Sequence, residues 1–413
     1  MQCVSLRSLE NILPSELLSG LAVEHKVDKC NQIRLPGMAV FVCLLDAVLS
    51  GGVASQRALE DIYSKKTGQT ADHSSFGKRL STIPVGFFRD IFEHLFQVLS
   101  PQAAPSEVKT LRVRFVDATI VSLSAKLLKF GLLITHSRCN TPGAGRRDIK
   151  AVFSLNEHGL PRVMRLCQRP DENSDCVALG DPILATLQPN DMCVFDAGMY
   201  DRNRFLAIND AHAYFLSRHT SQKLHVARVV YEADLNQNTD IAPGKGQATY
   251  QLVRVEDCRF GNSTDKAKFA NMPLLVIHGR RWDSRTSKWT PLVLMTNLPL
   301  ADDDLHAGPY SFTELAELYR KRWDIEQFFK FIKQHLSYDH ILSRTQNGIE
   351  VMIYMTLIAS LLMIWYKKLA HIENGWPSVK RWLSYDTQTW TAQLMDTALW
   401  VQVSARKTRP KRI

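Results

Sequence analysis

Five polar residues late in the chain, Tyr319, Arg322, Glu326, Lys330 and Lys333, stand at spacings that a helix brings to one side. At about 100° per residue, all of them fall within roughly 60° of Tyr319. The opposite side carries Ile325, Phe328, Phe331 and Ile332, an apolar face suited to docking on a core. A carboxylate among cations is commonly a solvated, salt-bridged face. Here a tyrosine is an odd choice for such a face, and the cations outnumber the acid they would pair with. Upstream, Asp117 in FVDAT and Asp196 in VFDAGM each follow an apolar run, as at the end of a strand, and precede small residues. One aspartate at a strand end is usually a turn former. Two of them plus Glu326 supply three hard oxygen donors of the kind Mg²⁺ takes. Two such ions about 3.5–4 Å apart can activate water and stabilise the leaving oxygen of a phosphoryl displacement. Gly198, just beyond Asp196, would let a nucleic-acid backbone approach closely.

The elements that must position these residues change character along the chain. The first hundred residues read as helices: MAVFVCLLDAVLSG, QRALEDIYSKKTG, HSSFGKRLSTI and GFFRDIFEHLFQVLS. Gly68 stops the second of these, and Asp72 or Ser74 caps the next, which carries Lys78 and Arg79. Two short helices around a Gly turn, the second basic, suit a helix-turn-helix DNA reader, and equally an ordinary αα-hairpin. PQAAP at 101–105 reads as a linker. Strand patterns follow in LRVRFVDATIVSLS, in AVFSLNEHGLPRVMRL with a turn at Asn156–Gly159, and in DMCVFDAGM. Further β-rich runs extend from about Ser217 to Leu300, and helical period returns at SFTELAELYRKRWDIEQFFKFIKQHL, a single helix by its pattern. The sixteen uncharged residues from Val351 to Tyr366 fall short of the about 20 that a membrane span needs, which favours a buried core helix. GWPSVKRWLSYDTQTWTAQL, with three tryptophans, reads as a helix that packs a partner subunit.

Composition narrows the function classes. With 413 residues, 45% hydrophobic and 22% charged, the chain is a multi-domain globular protein rather than a disordered tail, a rod or a collagen. The net charge of +10 points to anionic partners, nucleic acid first. Five of the cations crowd the last eight residues (Arg406, Lys407, Arg409, Lys411, Arg412), a tail that would add salt-sensitive DNA affinity. The eight cysteines form no CxxC pair, so neither a zinc site nor a disulfide framework is indicated. The thirteen histidines form no HxH or HxxxH pair. Glu10 and Glu16 interrupt the apolar runs of the N-terminus, which argues against a signal peptide. The expectation is a cytoplasmic protein with no membrane segment.

Tyr319, Arg322, Glu326 and Lys333 match the Tyr-x2-Arg-x3-Glu-x6-Lys signature, and the chain resembles the bacterial insertion-sequence DDE transposases that carry it, the YREK family. The resemblance covers about residues 105–370. It implies an α/β fold with an RNase H-like catalytic core interrupted by a β-rich insertion domain, flanked by a helical N-terminal DNA-binding region and a helical C-terminal region. The segments would be 1–104 (helical, DNA-binding), 105–216 (core, first part), 217–300 (insertion), 301–370 (core, second part) and 371–413 (C-terminal helices and basic tail). Asp117, Asp196 and Glu326 stand where that family has its catalytic, metal-binding carboxylates, with two Mg²⁺ ions for which Mn²⁺ can substitute. Tyr319, Arg322, Lys330 and Lys333 would contact DNA. Relatives stack a flipped base on a tryptophan of the insertion domain, for which Trp289 and Trp282 are the candidates, although a core role is commoner for any one tryptophan.

The implied partners are double-stranded DNA, both the terminal inverted repeats of a transposon and the target, and a second copy of the chain, because joining two ends needs two active sites. The implied reaction is cut-and-paste transposition, with or without a hairpin intermediate. One departure from the family pattern is Met199–Tyr200 after Gly198, where relatives have an aromatic directly. A tyrosine recombinase, an RNase H-like structure-specific nuclease and a domesticated, non-mobile DNA-binding protein are the competing readings.

Overall fold

The computed structural model describes residues 6–28, 35–50, 55–100, 111–123, 133–135, 146–167, 183–219, 224–233, 250–260, 269, 271–301, 306–336, 342–343, 345–373 and 375–407. Two compact units emerge: one from Met1–Gln102, Val121–Ile149 and Phe328–Ile413, the other from Ala103–Ile120 and Lys150–Gln327. The 101–105 linker and the tail beyond Lys407 lie outside the described residues.

In the first unit, prolines and polar caps set the helix boundaries. Helices α1 (Leu6–Ile12), α2 (Ser15–Glu24), α3 (Gly37–Leu49), α4 (Gln56–Thr67), α5 (His73–Thr82) and α6 (Val85–Leu99) follow the apolar periodicity. Pro14, Pro36 and Pro84 stand in extended conformation immediately before α2, α3 and α6, where a missing N–H costs nothing. Ser55 Oγ accepts from the Ala58 amide to open α4, and Gly68, at φ 65°, closes it. That left-handed turn favours glycine because it has no Cβ. Of the two candidate caps for α5 it is Asp72 that serves, accepting from the Ser74 amide at 2.7 Å.

The α4–turn–α5 unit is therefore present, but α5 is less basic on its open side than its sequence suggests. Lys78 is exposed, whereas Arg79 turns inward to the carbonyls of Val27 and Leu35 and pairs with Asp28. Arg79 ties the α2–α3 connection to α5, because its guanidinium satisfies carbonyls that would otherwise be buried unpaired.

Helix α10 (Gln346–Leu369) lies among α3, α5, α6 and α11 (Trp376–Lys407). At 24 residues it exceeds the uncharged segment and would pass the length test for a span, yet it is buried nearly end to end as a core helix. Its first turn is locked to α5: Asn347 Nδ2 donates to the carbonyls of Leu80 and Ile83 at 2.9 and 2.8 Å. Gly348 is obligatory at this approach, since a Cβ would meet Ser343 Oγ at 2.0 Å. Two tryptophans of the C-terminal helix α11 pack within the chain. Trp390 is fully buried and donates to Glu10 at 3.1 Å, and the Trp376 ring lies tilted against Phe331 with centroids 4.2 Å apart. In the same unit β2 (Leu133–Thr135) pairs antiparallel with Arg146–Asp148.

The second unit is built on a sheet. Strands β1 (Arg112–Leu123), β3 (Arg146–Asn156), β4 (Pro161–Cys167), β5 (Asp191–Phe195), β6 (Tyr214–Arg218), β7 (Leu224–Glu232), β8 (Tyr250–Phe260), β9 (Leu275–Asp283) and β10 (Lys288–Thr296) run in the order β3-β1-β5-β6-β10-β9-β8-β7, with β4 hairpin-paired to β3. β1, β5 and β6 are mutually parallel, with α7 (Arg202–Asp210) crossing over between β5 and β6. The strands expected between Ser217 and Leu300 are all there, and they continue this sheet antiparallel through the β6–β10 pairing.

β5 is buried at all five positions, as a strand covered on both faces must be. Below its end, Phe195, Phe205 and Phe215 stack, with Phe205 and Phe215 centroids 4.1 Å apart. At its start, the fully buried Asp191 is held by Arg112 Nε at 2.9 Å and Arg114 at 2.7 Å, which pins the β1–β5 register.

Candidate active site

Asp196 follows directly on β5 and opens a 3₁₀ turn, Ala197–Met199. Asp117 is not at a strand end as its sequence context suggests. It lies inside β1, which runs on to Leu123. The parallel ladder from β1 to β5 is recorded from Arg112↔Asp191 to Phe115↔Val194. Continuing that register sets Asp117 opposite Asp196, on strands about 4.8 Å apart. The β5–β6 register, ending at Phe195↔Ser217, sets Arg218 on the other side of Asp196 in the same way. A built Cβ on Gly198 meets nothing within 4 Å, so the backbone beside Asp196 is open to a close approach.

The single helix expected from Phe312 is two: α8 (Phe312–Lys321) and α9 (Trp323–His335). α8 begins with a capping box, Ser311 Oγ accepting from the Glu314 amide while Glu314 accepts from the Ser311 amide. Its Phe312, Leu315 and Ala316 are buried, and it packs on β6 and β8. The backbone stays helical at Arg322 (φ −52°, ψ −31°), yet the Arg322 amide bonds Tyr319 O and the Ile325 amide bonds Arg322 O, both three residues back. This tighter turn eclipses residues three apart and so stacks Tyr319 and Arg322 more closely than an α-helix would. Arg322 Cζ lies 5.9 Å from the Tyr319 ring centroid.

These two side chains gather the three carboxylates. Tyr319 Oη donates to Asp196 Oδ1 at 3.4 Å. Arg322 Nη2 pairs with Glu326 at 2.7 Å, and Nη1 lies 3.8 Å from Asp117 Oδ2. The Arg322 side chain is 14% exposed, Asp117 20% and Glu326 32%, so the cluster opens to solvent on the glutamate side. Burial pushes the Tyr319 phenol up to about 12; Arg322 opposes that rise, while the charge of Asp196 adds to it. Burial works against the Arg322 charge, but its hydrogen bond to Glu326 and the nearby Tyr319 and Asp196 more than offset it and raise its pKa.

Among the described residues, no three His, Cys, Asp or Glu side chains converge closely enough to hold an ion. The donor chemistry nevertheless fits a hard divalent cation, being carboxylate oxygen throughout. A guanidinium stands between two of the donors and accounts for their spacing.

Ile325, Phe328, Phe331 and Ile332 are buried as the helical pattern requires. Lys330 is exposed and Lys333 half-buried, farther along α9 where the chain belongs to the helical unit. Neither Trp289 nor Trp282 is a core residue. They face each other across the β9–β10 hairpin, half-buried, with ring centroids 5.5 Å apart, and Arg280 lies 5.3 Å over Trp289. Near the turn Arg281, Arg285 and Lys288 are exposed. Near the tip of the hairpin the two indoles cover each other and stay half-buried, which is why the core expectation fails there.

Sequence reasoning missed two neighbours of the site. Arg218 acts electrostatically on Tyr319, a placement only the β5–β6 register creates. Trp323, 54% exposed, follows Arg322 on the polar side of the helix. An aromatic at that position was the available signal.

Residues 109–362 match the family described as the transposase DDE domain, well over half of the chain. The chain belongs to the DDE transposase family. Among curated relatives it is 24% identical over 316 residues to a putative transposase for insertion sequence element IS4SA from Synechocystis sp., covering 75% of this chain and 76% of that one. It is 26% identical over 257 residues to the putative transposase y4zB from Sinorhizobium fredii, covering 57% and 65%. A cryo-EM structure of piggyBac transposase in a synaptic complex with hairpin DNA superposes with a TM-score of 0.44 at 10% identity, over 98% of this chain and 85% of that one. The protein is thus a DDE transposase, an enzyme that acts on DNA, of a family that generally uses divalent metal ions.

Proposed function

We propose that Asp117, Asp196 and Glu326 are the catalytic carboxylates of this transposase and its ligands for Mg²⁺, in two sites that Mn²⁺ can also fill. The observation that carries this reading is the convergence of all three on one helical turn, two through Arg322 and one through Tyr319. The order β4-β3-β1-β5-β6, with one acid on β1, one directly after the adjacent parallel β5 and the third on a later helix, supports an RNase H-like core. Residues 217–300 are then its β-rich insertion.

When bound, the cations supply an activated water and stabilise the oxygen leaving phosphorus. The protein's own groups do the rest. Asp117 and Asp196, fixed by β1 and β5, orient the reacting phosphate, and Glu326 completes the set from the helix. Arg322 takes phosphate oxygens through its planar fork, Tyr319 donates its hydroxyl to one, and Lys330 and Lys333 neutralise the backbone beyond. Hydrolysis at the transposon end frees a 3′-hydroxyl. That hydroxyl attacks the opposite strand to form a hairpin, a second hydrolysis reopens it, and the end joins target DNA. Trp289, beside Trp282 and under Arg280, stacks the base displaced at the hairpin.

The α4–α5 pair, with Lys78 and His73 exposed, reads the terminal inverted repeat. Two ends require two active sites, so the working form on DNA is a homodimer, in the bacterial cytoplasm. A tyrosine-nucleophile recombinase is disfavoured: a phenol raised to about 12 by burial is a poor nucleophile at neutral pH.

The test is cleavage of a labelled duplex carrying the transposon end in Mg²⁺, comparing wild type with Glu326→Gln. Cleavage at the end by wild type, lost in the variant while binding persists, is the expected result. Equal activity in both would overturn the assignment, and binding without cleavage by either would favour a domesticated DNA-binding protein.

A further inference from the structure

The carboxylates proposed as metal ligands are already engaged, by cations and donors of the protein itself. Arg322 uses its two terminal nitrogens on two different acids, Glu326 at 2.7 Å and Asp117 at 3.8 Å. Tyr319 holds Asp196, the third. Arg322 is largely shielded from solvent, where an ion pair is screened least. No three acidic, histidine or cysteine side chains among the described residues converge tightly enough for an ion.

We infer that Arg322 acts as a latch on the carboxylate set: it holds Asp117 and Glu326 against divalent cations until a DNA phosphate draws it away. The inference rests on the assignment of those acids as metal ligands. A guanidinium and a divalent cation compete for the same carboxylates, because their like charges repel at contact distance. A phosphate offers Arg322 the same bidentate geometry that a carboxylate does, so DNA can compete for it where a neutral ligand cannot. Tyr319 releases Asp196 by the same exchange, since its hydroxyl can donate to a phosphate oxygen instead. Metal loading and DNA binding are then coupled, and the coupling is reciprocal: the factor by which DNA tightens metal is the factor by which metal tightens DNA. The consequence is an enzyme that assembles its hydrolytic centre only on a nucleic-acid backbone.

The experiment is Mn²⁺ binding to the full chain, read from the loss of the free-ion electron paramagnetic resonance signal, with and without a short duplex. Without DNA, Arg322→Gln binds Mn²⁺ at least about fivefold more tightly than wild type, the low end of couplings between sites. Arg322→Lys also tightens it, because a point charge on a flexible stem cannot bridge two acids as a planar fork does. Adding duplex tightens Mn²⁺ binding to wild type by a comparable factor and changes Arg322→Gln much less.

Arg218→Gln separates a latch from a general field effect, since Arg218 influences the site and forms no ion pair with these acids among the described residues. A gain in Arg218→Gln equal to that in Arg322→Gln would overturn the latch, as would a wild type whose Mn²⁺ affinity ignores DNA. The wild-type comparison needs no variant, so misfolding of a mutant leaves the test intact. Loss of Mn²⁺ binding in Glu326→Gln with no gain in Arg322→Gln overturns the latch alone. Unchanged binding in Glu326→Gln overturns the ligand assignment beneath it.

Discussion

Arg322 and Glu326 meet at 2.7 Å across the junction of α8 and α9, so that one turn of helix presents a cation and the carboxylate it holds. The contact survives the break because Arg322 keeps helical backbone angles, which leaves residues four apart on one side. Glu326→Asp retracts the carboxylate by one methylene without removing its charge. DNA cleavage should fall by roughly 100-fold, the cost of about 1 Å of misplacement in a reacting array. A gel-shift titration should find DNA affinity essentially unchanged.

Tyr319→Phe deletes the hydroxyl that reaches Asp196 and leaves the ring against Arg322. A hydrogen bond to a charged group contributes about 1.5–3 kcal/mol, so cleavage should slow by roughly 10- to 100-fold. Because the phenol titrates only near 12, it stays protonated throughout the working range. The wild-type rate profile should therefore show no downturn assignable to Tyr319 between neutral pH and about pH 10. A downturn in that window that vanishes in Tyr319→Phe would contradict the proton-donor role.

Asp191 is fully buried between Arg112, which is largely exposed, and Arg114, which is not. Removing the acid strands Arg114 without its partner, and Asp191→Asn should cost about 3–5 kcal/mol in urea unfolding. Arg112→Ala should cost under about 1 kcal/mol, because its side chain stands mostly in water. Equal losses in the two variants would mean that burial does not govern this cluster.

Asp72 caps α5, and the Ser74 amide it accepts from holds its carboxyl below the ordinary value of 3.8. A carboxylate whose folded pKa is depressed stabilises the fold in full above its unfolded pKa. That stabilisation disappears as pH falls through the folded value. Asp72→Ala should thus melt below wild type at neutral pH, and the two melting curves should converge near pH 2. Curves that stay apart in acid would show that the cap acts through something other than its charge.

Trp282 and Trp289 touch edge-to-face across the β9–β10 hairpin. A double-mutant cycle of both to alanine should return a coupling of about 0.5–1.5 kcal/mol in thermal or urea unfolding. The role proposed for Trp289, stacking a base displaced at the hairpin, predicts that Trp289→Ala alone slows hairpin formation on labelled ends more than the first nick.

Much of this protein was legible from residue types and spacing. Local rules offered Asp72 as a helix start and Gly68 as a stop, since a cap or a left-handed turn is decided by its own few residues. The buried side of α9 followed from period, and the acids and cations of the site from their kinds and their order. Tertiary structure decided what those groups do to one another. The register that sets Asp117 across from Asp196 depends on β1 and β5 finding each other over most of a hundred residues, and a strand carries no local mark of its partner. Whether a basic residue faces solvent or a buried carbonyl, the difference between Lys78 and Arg79, depends on chain that arrives from elsewhere. The same holds for Trp289, which ends half-buried against Trp282 rather than in a core. Arg322 is the sharpest case: its type and place were plain in the sequence and its pairing with Glu326 is local to the helix, but its reach to Asp117 exists only once the sheet and the helix have come together.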